Sequence, residues 1–124
     1  MFAAWEAAER PYPWKEEGFP VATVVWEIDM DPKGFAVVQV VGEEAYLANF
    51  MIAKNARRRR HGFQFLQKVI MWAASQGARR MLLDVETTNI PAVRLYQKLG
   101  FEMIETREKS YPNGESAFVM RKII

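Results

Sequence analysis

Two groups of side chains in this sequence have types and spacing suited to chemistry. The first is a run of cations: Lys54, then Arg57, Arg58, Arg59 and Arg60, followed by His61 and Gly62, with no acid inside it. It follows an apolar, strand-like segment and precedes an apolar pattern of helical period. A tight cationic loop entering a helix suits a phosphate or pyrophosphate, because unpaired N–H groups and the positive end of the helix dipole point at the anion. Arginines add charge-assisted, bidentate contacts. Spacing alone leaves two other readings open, a solvated basic loop and a patch for RNA. The second group is Asp84, at the end of a short apolar segment, together with residues 89–101, where Tyr96 carries a phenol. Taken plainly, residues 89–101 are a capped helix with Ala92, Leu95 and Leu99 turned inward and Tyr96 at the core edge.

Composition narrows the remaining chemistry. There is no cysteine and one histidine among 124 residues, so a thiol nucleophile, a disulfide framework and a cysteine-based metal site are excluded, and no metal is expected. Half the residues are hydrophobic and 26% are charged, which fits one globular domain spanning residues 1–124. No apolar run approaches the roughly 18 residues that cross a bilayer. The first residues carry an early acid and no basic segment leading into an apolar one, so no signal peptide is read and a cytoplasmic location is expected. The net charge of +2 is uneven: outside the cationic run, 12 basic residues face 15 acidic ones. The protein has one cationic spot rather than a generally basic surface.

Hydrophobic periodicity supplies the elements that must hold these groups. Residues 1–10, rich in Ala and Glu, predict a helix stopped by Pro11 and Pro13. Residues 21–30, 35–41 and 45–52 predict three strands in a meander. Asp31-Pro32-Lys33-Gly34 serves as the first turn and Gly42-Glu43-Glu44 as the second. After the cationic run, Leu66, Val69, Ile70 and Ala73 recur at helical spacing, with Gly77 as the stop. A buried strand at 81–85 and a helix at 90–99 follow, the latter capped by Asn89 and ended by Gly100. Two strands at 101–108 and 116–124 complete the chain. The expectation is an α/β (α+β) fold: a mixed, mostly antiparallel central sheet flanked by helices.

The segment Asn89-x-x-Ala92-x-x-Leu95-Tyr96-x-x-x-Gly100-Phe101 resembles the second conserved block of GNAT acetyltransferases, and the cationic junction resembles their first. The likeness extends over nearly the whole chain and is nearest to the RimI-type ribosomal-protein alanine N-acetyltransferases. Trp5-Glu6, Tyr12-Pro13-Trp14, residues 35–41, Leu47-Ala48-Asn49-Phe50 and Tyr111-Pro112 fall in the matching order. The resemblance implies a GNAT fold and acetyl-CoA as co-substrate. The cofactor would lie in a splay between the strand ending Phe50-Met51-Ile52 and the strand at 81–85. Its pyrophosphate would rest on the amides of Arg57, Arg58, Arg59, Arg60, His61 and Gly62, with Asn89 on its arm. Tyr96 matches the family's general acid, which protonates the departing thiolate. The acceptor implied is a protein N-terminal α-amine that attacks directly.

The sequence departs from that family at three places. Arg60 stands where a first glycine is usual, with Gly62 keeping the second; the arginine either grips a phosphate or obstructs it. Asp84 stands where RimI-type enzymes carry a catalytic glutamate, with Glu43 and Glu44 as fallback bases. The family's usual first strand is expected to be missing, which would leave a sheet edge for a monomer or a weak homodimer. Trp14, Tyr12 and Tyr111, with Trp5, are core aromatics or the lining of a peptide groove. His61 is a surface residue or a phosphate contact. The alternatives to the protein N-terminus are a small amine, a lysine, or a non-catalytic domain that binds RNA or a ribosome through Arg57, Arg58, Arg59 and Arg60.

Overall fold

The computed structural model describes residues 21–28, 30–53, 61–108 and 112–124. The expected N-terminal helix, the arginines of the cationic run, and Trp5, Tyr12, Trp14 and Tyr111 lie outside the described residues.

The described chain runs β1 (Val21–Ile28), β2 (Asp31–Val41), β3 (Glu44–Ile52), α1 (His61–Ser75), β4 (Arg80–Glu86), α2 (Ile90–Lys98), β5 (Glu102–Arg107) and β6 (Ala117–Ile123). The strands form one sheet in the order β1-β2-β3-β4-β6-β5. Every neighbouring pair is antiparallel except β3 and β4. That single parallel pair needs a crossover, and α1 supplies it.

One turn differs from expectation. Asp31-Pro32-Lys33-Gly34 belongs to β2, with Ile28 opposite Asp31, so the chain has already reversed before the expected turn begins. Met30 takes the left-handed conformation there, φ 67°, and projects into solvent. Proline can sit inside the strand because a bulge at Lys33 breaks the ladder beside it; Glu27 faces Pro32 and Trp26 faces Gly34.

Strand alternation divides the sheet into two faces. The first carries Ala36, Val38, Ala45, Leu47, Met81, Leu83 and Val85, all in the main core. The apolar stripe of α1, Phe65, Leu66, Val69, Ile70 and Ala73, closes over it. The second face carries Gln39, Tyr46, Leu82, Asp84, Ala117 and Val119, of which Gln39 and Asp84 are buried polar residues.

Both described helices stop the same way. Gly100 takes φ 94°, its N–H bonds to the Gln97 carbonyl at 3.0 Å, and the Phe101 N–H bonds to the Tyr96 carbonyl at 2.9 Å. This is a Schellman ending, and its hydrophobic contact is present as well, the Phe101 and Tyr96 rings lying 5.8 Å apart. Gly77, φ 97°, ends α1 with the matching pair of bonds, Gly77 to Ala74 and Ala78 to Ala73.

Candidate active site

The site begins where the sheet comes apart. The parallel ladder runs from Glu44 opposite Arg80 to Leu47 opposite Leu83 and ends there, although both strands continue. The next residue of β3 is Ala48, the extra residue of a bulge: Leu47 faces Val38 and Asn49 faces Val37. An extra residue in one strand bends it and raises its twist. The bulge therefore lies at the point where the β3–β4 ladder stops, and beyond it the two strands leave a gap in their pairing.

The same bulge resets the faces. Strict alternation would put Leu47 and Phe50 on opposite sides. With Ala48 inserted, both face the first side, and the Phe50 ring packs against Phe65 of α1 at 5.3 Å. Asn49 and Met51 turn to the second face.

Backbone direction in the gap follows from one bond. The Ala53 N–H donates to the Lys33 carbonyl at 2.6 Å, which fixes the phase of the antiparallel β2–β3 ladder. Hydrogen-bonded and non-bonded pairs alternate. The backbone groups of Asn49 and Met51 thus point to β2, and those of Phe50 and Ile52 point toward the gap. Of the three residues expected to line it, Met51 has its backbone committed elsewhere.

Asp84 is the first residue of β4 past the ladder. It faces Val119 of β6, lies on the second face of the sheet and is 1% exposed. Tyr96 approaches from the first face. It is the most enclosed side chain of α2, 5% exposed, with its ring 6.5 Å from that of Phe50. The plain and chemical readings of Tyr96 therefore meet in one residue: the ring is core, and it lies beside the strand segment that borders the gap. Asp84 and Tyr96 flank the opening from opposite sides of the sheet.

Asn89 caps α2, its Oδ1 accepting the Ala92 N–H at 3.3 Å, with Pro91 in the first turn. Glu43 and Glu44 are removed from the gap. Glu44 begins the ladder, three residues or about 10 Å of strand before the opening. Its carboxylate engages Tyr46 and Arg80, while Glu43 pairs with Arg79 and Arg80. They anchor the closed end of the β3–β4 pair.

The start of α1 faces the same end of β3. His61 is half-buried rather than free on the surface; its Nδ1 accepts the Trp26 indole N–H at 3.3 Å. That bond places the proton of a neutral imidazole on Nε2. At Gly62 an added Cβ would meet Leu95 at 3.6 Å and Ile52 at 3.8 Å, ordinary contacts. The fold itself therefore has room for a side chain at Gly62. Sequence reasoning missed the Ala48 bulge, the sheet face it gives Asn49 and the Trp26–His61 contact; only a polar Asn between apolar Leu47 and Phe50 hinted at any of them.

Residues 1–101 match the acetyltransferase (GNAT) family. The chain is 30% identical over 129 residues to the ribosomal protein bS18-alanine N-acetyltransferase of Salmonella typhimurium, covering 95% of this chain and 87% of that one. The chain belongs to the GNAT acetyltransferase family. Among solved GNAT structures, the Escherichia coli ribosomal-protein-S18-alanine N-acetyltransferase superposes with a TM-score of 0.78 at 27% identity, covering 91% of this chain and 79% of that one. Ard1 from Thermoplasma volcanium gives 0.76 at 25% identity, with 81% and 68% covered. As a GNAT enzyme the protein is an acetyl-CoA-dependent N-acetyltransferase. Among the described residues no helix is long and apolar enough to cross a membrane, and no group of three or more His, Asp or Glu could hold a metal ion.

Proposed function

We propose that this GNAT acetyltransferase transfers the acetyl group of acetyl-CoA to a protein N-terminal α-amine, with a ribosomal protein as the acceptor class. The observation that carries the reading is the opening past Leu47 and Leu83, flanked by Asp84 on one face and Tyr96 on the other. The relatives named as bS18-alanine N-acetyltransferases, at up to 30% identity over most of the chain, support the choice of acceptor.

The sidedness suits direct transfer. The amine nitrogen forms a bond to the acetyl carbon as the carbon–sulfur bond breaks, so one proton must leave nitrogen and one must reach sulfur. Asp84 accepts the first from the second face. Its carboxylate is short and almost fully enclosed, so the proton passes through a bridging water. Tyr96 supplies the second from the first face and is reprotonated from solvent. An α-amine has a reference pKa of about 8, so a useful fraction is already neutral at neutral pH and the base has modest work. The Phe50 N–H, turned to the gap, is the backbone donor available to the thioester carbonyl. Gly62, His61 and the arginines before them are the candidates for the pyrophosphate, and Asn89 for the cofactor arm.

Two measurements test the reading. A ligand that binds the folded state alone raises the melting temperature, so acetyl-CoA stabilises the protein and free adenosine does not. Peptides with an N-terminal alanine, peptides with an internal lysine and blocked N-terminus, and polyamines are then offered in parallel. Acetylation of the first alone supports the proposal. Preference for either of the others, or no stabilisation by acetyl-CoA, overturns it.

A further inference from the structure

The bulge that opens the gap also puts one polar side chain at its rim. Asn49 lies on β3 opposite Val37, on the same sheet face as Asp84, and it is half-buried. Asp84 is the first β4 residue beyond the ladder, and Asn49 the first β3 residue beyond the bulge. The two therefore stand on either side of the gap on one face, while Tyr96 stands on the other. Without the bulge, strict alternation over Leu47, Ala48 and Asn49 would turn Asn49 into the apolar core.

We propose that Asn49 is a binding residue for the acceptor amine, its Oδ1 accepting an N–H of the amine while Asp84 receives the proton that leaves. The assignment rests on the acetyl-transfer reading above. Its physical logic is charge. The nucleophile must be the neutral amine, and a second carboxylate on this face would favour the ammonium form. A neutral carbonyl orients the amine without holding it protonated. A primary amide carries one carbonyl and two N–H donors, so a contact made within the protein leaves capacity for one made to substrate. The ligand class follows: a primary amine presented at the end of an extended chain that enters from the second face.

The experiment is steady-state kinetics with acetyl-CoA and a peptide beginning with alanine, alongside calorimetry with acetyl-CoA alone. In Asn49→Ala, the peptide KM rises about tenfold, the loss of one hydrogen bond, while the acetyl-CoA Kd stays within about twofold. In Asn49→Asp, the pH at which kcat/KM reaches half its plateau moves upward by about one unit, because the new carboxylate stabilises the ammonium. A packing role alone would leave that pH where it is. An unchanged peptide KM in Asn49→Ala overturns the assignment. So does an acetyl-CoA Kd weakened as much as the peptide KM. If the alanine variant fails to fold, Asn49→Ser and Asn49→Asp carry the same comparison. Wild-type protein that neither binds acetyl-CoA nor acetylates the peptide overturns the parent reading, an outcome distinct from an active enzyme indifferent to Asn49.

Discussion

Changing Tyr96 to phenylalanine removes one oxygen from the best-enclosed side chain of α2 and leaves its ring in place. The ring contacts that hold it, 6.5 Å to Phe50 and 5.8 Å to Phe101, do not involve the hydroxyl. Aromatic pairs of this kind contribute about 0.5–1.5 kcal/mol each beyond burial, and both persist in the variant. The stability cost is then that of one hydroxyl hydrogen bond, about 1 kcal/mol, or roughly 4 °C in a domain of this size. Truncation to alanine would instead cost about 3–5 kcal/mol, which is why it is the wrong variant for a chemical question. General acid catalysis contributes about 10²–10⁴-fold. If Tyr96 protonates the leaving thiolate, kcat falls by at least about 100-fold, which corresponds to about 2.7 kcal/mol in the barrier. The acetyl-CoA Kd stays within about twofold, since the ring that borders the cofactor gap is unchanged. The assay follows thiol release under saturating acetyl-CoA and peptide, with calorimetry for binding and a thermal melt as the folding control. A folded variant that keeps wild-type kcat refutes the acid assignment. One that loses acetyl-CoA binding in proportion to kcat refutes the separation of ring from hydroxyl.

Asp84→Asn, which keeps shape and removes the proton acceptor, lowers kcat by about 10²-fold or more with acetyl-CoA affinity intact; Glu43→Gln and Glu44→Gln leave kcat unchanged, because both lie at the closed end of the β3–β4 pair, and any loss there in the same kinetic assay contradicts the placement. Deleting Ala48 restores regular alternation in β3 with Leu47 and Phe50 still on one face, so the chain folds, the ladder with β4 lengthens and the gap closes. A normal melt together with lost thermal stabilisation by acetyl-CoA is expected, and retained stabilisation would show that the bulge does not open the site. Gly100→Ala forces a Cβ into φ 94° and within 2.8 Å of the movable Lys122 Nζ, so backbone strain dominates. A loss of about 1–2 kcal/mol in chemical denaturation is expected, with kcat reduced as well because the same turn seats Tyr96 on Phe101.

What the sequence determined by itself was local. The periods of the apolar strand and helix segments, the Asn89 cap, and the Gly77 and Gly100 stops are decided by neighbours a few residues apart, and outside the first hairpin their structural counterparts fall within a residue or two of the expected limits. The spacing of Tyr96, Gly100 and Phe101 is of this kind: it builds a helix ending whose hydrophobic contact is the tyrosine ring itself. The first hairpin was misplaced because Pro32 and Gly34 are turn formers that a bulge allows inside a strand. Tertiary structure alone decided which residues face one another across the gap. Asp84 and Asn49 are far apart in the chain, and neither their common face nor the end of the ladder beside them follows from any local pattern. Both depend on the register of β3 against β2 and β4, and on one inserted residue, Ala48, that turns the strand where the ladder stops.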